Sequence, residues 1–122
     1  MGGIVWRVRT VSPESDYLVD RTGNRTVATT DPVTHCIYIS RELEGGFLFR
    51  VVVHEMGHAA MISFGVLDDI RRMVRPSCWI EAEEWICNFI ADYGLLIFEK
   101  AYGIVGAEAL RIVPKEMERL IA

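Results

Sequence analysis

Residues 54 to 58 read His54-Glu55-Met56-Gly57-His58, two imidazoles four positions apart with a carboxylate beside the first. On a helix, side chains at i and i+4 lie one above the other. His54 and His58 can therefore offer two nitrogens to one point, half the donor set of a tetrahedral zinc ion. Glu55 is turned about 100° from His54, so it does not compete as a ligand and can instead reach a metal-bound water. The chemistry that needs these three residues at this spacing is metal-assisted hydrolysis. The plain alternative is accident, which would produce such a pattern in roughly one in a few hundred chains of this length. Two of the chain's three histidines fall in the motif, and its surroundings are apolar and helical in pattern, which favours chemistry.

A zinc site of this kind requires a third protein ligand. Between Trp79 and Phe98 most positions are apolar, yet Glu81, Glu84, Asn88 and Asp92 recur at i, i+3, i+7 and i+11 as one polar stripe. A stripe that merely faces water is the bland reading, and for Asp92 it is equally good. For the glutamates, a carboxylate one helix away from the histidines completes the His₂Glu set of catalytic zinc. Glu84 is preferred over Glu81 and Glu83 because Asn88 follows one turn later, where its amide can hydrogen-bond the outer nitrogen of a ligand histidine and hold its tautomer. Glu81 remains the alternative ligand.

These residues must be carried by a frame, and the chain divides cleanly. Ile4 to Val11, Tyr17 to Asp20, Arg25 to Thr30 and His35 to Ser40 read as strands, separated by the turn-forming Ser12-Pro13, Thr22-Gly23-Asn24 and Asp31-Pro32. After Gly45-Gly46 the periodicity becomes helical from Phe47 to Phe64, stopping at Gly65. Val66 to Arg75 is a short segment closed by Pro76, Ser77 can cap a helix through Lys100, and Gly103 to Leu120 is a last helical stretch interrupted at Pro114. Strands first and helices second predict an α+β fold: a small antiparallel or mixed sheet packed on the helix that bears the histidines and on a second helix that bears the glutamate. Gly57 weakens its helix by about 1 kcal/mol relative to alanine, a cost that makes sense if another backbone packs close there.

With 122 residues, 51% of them hydrophobic and 25% charged, the chain has the size and composition of one globular domain, residues 1–122. Its formal net charge is −4, and the nearest approach to a basic patch is Arg71, Arg72 and Arg75, which read as the solvated end of a short helix. Direct nucleic-acid binding is not expected. The three cysteines, Cys36, Cys78 and Cys87, form no C-x-x-C pair, so free thiols are expected and not a cysteine metal site or a disulfide framework. No signal-peptide layout opens the chain and no apolar run approaches the ~20 residues that span a bilayer, so a cytoplasmic, non-membrane protein is expected.

The stretch Phe49-Arg50-Val51-Val52-Val53-His54-Glu55-Met56-Gly57-His58, preceded by Ile37-Tyr38-Ile39-Ser40 and followed by Glu84-Trp85-Ile86-Cys87-Asn88-Phe89-Ile90-Ala91, resembles the ImmA/IrrE family of gluzincin metallopeptidases. In that family a strand leads into an H-E-x-G-H helix and a later E-x-x-A-N-x-F-A helix brings the glutamate ligand. The resemblance implies a zincin-like fold, a Zn²⁺ ion on His54, His58 and Glu84, Glu55 as general base and Asn88 as the residue orienting a ligand. It covers about half the chain, Ile37 to Ala91. Cys87 stands where the family has alanine and Ile90 where it has phenylalanine. The role it implies is cleavage of a peptide or protein substrate, a repressor or other regulator among them.

In the expected reaction zinc acidifies a water and polarises the scissile carbonyl while Glu55 carries the proton. Ile37, Tyr38 and Ile39 are expected to form a sheet edge beside the cleft, to which an extended substrate adds as a strand. His35, Tyr38, Tyr93 and Tyr102 are candidates for the oxyanion donor. The rival readings are a zinc-binding regulatory or toxin–antitoxin-type module that cuts nothing, and a helical interaction protein without metal.

Overall fold

The computed structural model describes residues 1–106. The chain divides into two compact units, residues 1–92 and 93–122. The first holds three strands, β1 (Arg7–Val11), β2 (Ala28–Asp31) and β3 (Cys36–Ser40), and three α-helices, α1 (Gly45–Ser63), α2 (Val66–Met73) and α3 (Trp79–Phe89). The fold is α+β. The described part of the second unit carries α4 (Leu95–Val105), preceded by a π-helical stretch over Ile90–Gly94. Most of the helix expected over Gly103 to Leu120, with Pro114, lies outside the described residues. No helix among the described residues is long and apolar enough to cross a membrane.

The sheet is mixed, ordered β1-β3-β2. β3 runs parallel to β1, from Arg7↔Cys36 to Val11↔Ser40, and antiparallel to β2, from Ala28↔Ile39 to Asp31↔Cys36. This corrects the expectation that Ile37, Tyr38 and Ile39 form an edge: both sides of β3 are already paired, and all five of its residues are buried. Its side chains alternate as a central strand requires. Ile37 and Ile39 pack with Ala28 and with Ala59 of α1, while Cys36 and Tyr38 pack with Leu18 on the other face. The edge on the α1 side is β2. The expected strand at Tyr17–Asp20 is instead a 3₁₀ turn over Asp16–Leu18, stitched to the next segment by a single Val19↔Arg25 bridge. Ser15 caps that turn through Tyr17 N–H, which satisfies the backbone without a sheet partner.

The helices pack around a second apolar cluster of Met61, Ile70 and Cys87, one from each of α1, α2 and α3. Gly57 sits where α1 meets α3, and a Cβ placed on it would lie 3.1 Å from Cys87 Sγ and 3.6 Å from Cys87 Cα. The close backbone approach expected from the glycine is present. Gly65, at φ +70°, makes the left-handed reversal from α1 into α2. On α2, Arg71 lies over the Trp79 ring at 5.3 Å and Arg72 pairs with Asp69, so these cations end a short helix as expected.

Candidate metal centre

α1 and α3 bring the predicted ligands together. His54 and His58 stand one turn apart on α1, and Glu84 projects from α3 toward both, forming a group of donor atoms that could hold a metal ion. His54 Nε2 lies 3.1 Å from Glu84 Oε2, His58 Nε2 lies 3.3 Å from Glu84 Oε1, and the two Nε2 atoms are 3.2 Å apart. In a tetrahedral site with bonds of about 2.0–2.1 Å, neighbouring donors are about 3.3 Å apart. The donor set and its spacing therefore fit zinc.

The other nitrogen of His58 is also accounted for. Nδ1 is 2.8 Å from Glu83 Oε1, a carboxylate–histidine pair that leaves Nε2 turned to the donor group. Arg21, from the turn between the 3₁₀ segment and β2, donates to Glu83 Oε2 at 2.8 Å and to Glu84 Oε1 at 3.2 Å. Burial opposes the charge on His58, but hydrogen bonds with Cys87, Glu83 and Glu84 outweigh it and push its pKa up to about 12. Hydrogen bonds from His54 and His58 hold the Glu84 carboxyl well below the usual range. Burial pushes Glu83 up, and His58 and Arg21 more than offset it. His58 and Arg21 supply positive charge that Glu83 and Glu84 face.

Glu55, only 7% exposed, sits beside the candidate donors without bonding them; the Thr30 hydroxyl of β2 donates to its Oε2. A cleft of about 540 Å³ runs past His54, Glu55, His58, Glu83 and Glu84, with Ala28 to Asp31 of β2 along one wall. A second depression, of about 190 Å³, continues on the other side of His54 and Glu55 between Thr26, Phe47 and Asn88. The His54–His58–Glu84 group thus lines a cleft bordered by the edge strand.

Other expected residues fall elsewhere. Asn88 is exposed and lines the smaller depression, and the position at His58 Nδ1 belongs to Glu83. Glu81 is exposed and outside the donor group. Of the oxyanion candidates, Tyr38 lines the larger cleft, stacked on Tyr17 at 4.2 Å, while His35 packs against Trp6 in the β2–β3 turn. Tyr93 and Tyr102 belong to the second unit.

The sequence reading weighs Glu83 only as a less favoured ligand, not as the partner of His58, and does not expect Arg21 and Thr30 at the site. Glu83 did leave a signal. It lies four residues before Cys87 on the apolar side of α3, and a carboxylate on a buried face must have a partner. Arg21 and Thr30 left none, because only the tertiary fold brings a turn and a strand edge to these helices.

No family model matches the chain, and neither a curated protein nor a solved structure matches it.

Proposed function

We propose that the chain is a zinc-dependent peptidase, a minimal gluzincin resembling the ImmA/IrrE family, with His54, His58 and Glu84 as ligands and Glu55 as general base. The observation that carries this reading is the triangle of donors at 3.1, 3.2 and 3.3 Å, with Glu83 holding the far nitrogen of His58.

A zinc ion there supplies Lewis acidity, making water nucleophilic near neutral pH and polarising a carbonyl. The remaining work falls to the chain's own groups. An extended peptide lies along the free edge of β2, its backbone satisfying that edge and its scissile bond brought opposite His54 and Glu55. Glu55 takes the proton of the attacking water on its carboxylate and delivers it to the leaving amine. Thr30 keeps that carboxylate turned toward the cleft, so its direction is set before substrate arrives. Glu83 holds the His58 ring in one orientation throughout.

Metal analysis of protein purified without added zinc tests the first half: close to one zinc per chain is expected, lost in His54→Ala and His58→Ala. Folded wild-type protein that takes up no added zinc ends the proposal. Digestion of a peptide library, analysed by mass spectrometry for wild type and Glu55→Gln, tests the second half. Zinc-loaded protein that cuts nothing would be the binding module instead.

A further inference from the structure

Arg21 reaches the centre from outside the two helices that build it. Its guanidinium spans two neighbouring carboxylates with different duties. One fork arm is 3.2 Å from Glu84, the carboxylate among the metal donors, and the other is 2.8 Å from Glu83, which holds His58 Nδ1. We propose that Arg21 is a positioning residue of the metal centre, a clamp that fixes Glu84 and, through Glu83, His58 in ligating geometry and thereby sets the affinity for zinc. The inference rests on the zinc reading above.

Three observations support it. The hydrogen bonds described at the Glu84 carboxylate come from Arg21, His54 and His58. When a metal takes both histidine nitrogens, Arg21 is the partner that remains to hold this glutamate, whose side chain is 41% exposed. Second, the turn carrying Arg21 is pinned: Asp20 Oδ1 accepts from Thr22 N at 2.9 Å, Thr22 Oγ1 at 2.5 Å and Asn24 N at 3.0 Å. A long side chain on a fixed base loses less freedom when it grips. Third, Glu55, Glu83 and Glu84 place three carboxylates around a dication. Arg21 pairs directly with two of these three, Glu83 and Glu84.

A cation beside a metal also repels it, which by itself would weaken binding. Orientation is the larger effect here, because the guanidinium bonds the ligand Glu84 and the His58 partner Glu83 in a planar fork that point charge alone does not supply. Loss of such outer partners weakens metal binding by roughly ten- to a hundredfold.

The test is competition of the full chain with a chromophoric zinc chelator at fixed pH, on wild type, Arg21→Gln, Arg21→Lys and Arg25→Gln. Arg25 is in the same turn region but donates to the Pro13 and Ser15 carbonyls, away from the centre. Arg21→Gln should bind zinc roughly ten- to a hundredfold more weakly, Arg21→Lys should recover little of that loss, and Arg25→Gln should stay within about twofold of wild type. Circular dichroism in excess chelator checks the metal-free fold; if Arg21→Gln does not fold, Arg21→Lys carries the test. Wild-type affinity in Arg21→Gln, tighter binding in it, or full recovery with lysine overturns the clamp and leaves the zinc reading standing. A wild-type chain that binds no zinc overturns both.

Discussion

In the proposed reaction Glu55 takes a proton and gives it back, yet it is almost fully enclosed and is gripped by a threonine of β2. Enclosure keeps the carboxylate beside the ligands; the hydroxyl sets its direction. Glu55→Gln preserves size and shape, so zinc content and melting temperature should stay near wild type while peptide cleavage falls by roughly 10²–10⁴-fold. Thr30→Val should also keep zinc but lower cleavage by roughly tenfold through misdirection of the base. Normal cleavage by Thr30→Val would show that the hydroxyl does not position Glu55. The pH behaviour belongs to His58, faced by His54, Glu83, Glu84, Cys87 and Arg21. Its folded pKa, raised to about 12, exceeds that of an unfolded histidine at 6.5. Its stabilising contribution is therefore complete below pH 6.5 and is lost as pH rises toward the folded value. For Glu83 and Glu84, whose folded pKa values are lowered from 4.5, the contribution is present above 4.5 and lost on acidification. Metal-free protein should be most stable between these limits, about pH 4.5–6.5. Zinc has to displace the His58 proton, so its affinity should rise with pH, and a chelator titration at pH 6, 7 and 8 checks the direction.

At the level of elements, α1 and α3 can share the ligands only because they approach at Gly57 and Cys87. Alanine at position 57 would favour the isolated helix by about 1 kcal/mol. Its methyl meets Cys87 Sγ at 3.1 Å, and crowding in a packed core costs about 1–3 kcal/mol. Gly57→Ala should therefore destabilise by about 1 kcal/mol in wild type and become neutral or stabilising in a Cys87→Ala background; denaturant melts of the four-member cycle measure the coupling. Additivity would mean that the two residues do not define the approach. The glycine announced this contact in the sequence, since a helix interior does not choose it freely. The same holds for α1, whose apolar periodicity and motif are strongly patterned. β3 was misread as an edge although Cys36-Ile37-Tyr38-Ile39 is a continuous apolar run, which is the pattern of a strand buried on both faces. The parallel pairing with β1 could not be read locally, because β2 lies between them in sequence and outside them in the sheet.

For the whole molecule, the His54–Glu84 and His58–Glu83 contacts tie α1 to α3, and Arg21 ties α3 to the turn preceding the sheet edge. Ligand types and the motif's spacing were legible because helix geometry acts within one turn; the carboxylate of α3 was legible as a class, with Glu84 one of several. Glu83 was legible only as a carboxylate on a buried face in need of a partner, and Arg21 and Thr30 were not legible at all, because their roles exist only after elements distant in sequence have met. Binding that favours the folded chain stabilises it by mass action, about 2.7 kcal/mol at a free metal concentration a hundredfold above Kd. A strong chelator should accordingly lower the melting temperature of wild type by several degrees and leave His58→Ala unmoved. An equal shift in both would assign the effect to something other than this centre.

The sulfur of Cys87 is wholly enclosed, at 0% exposure, while Cys78 is only half-covered. A thiol reagent can modify Cys87 only after the packing of α1, α2 and α3 around it opens, so its rate of alkylation is a clock for that opening. Cys78, reacting early, gives the internal reference for the reagent itself. With opening faster than chemistry, the ratio of the two rates is the fraction of time the helices spend apart. The same residue whose sulfur crowds Gly57 thus offers a way to time the opening of the helices that carry the donor group, without a substrate.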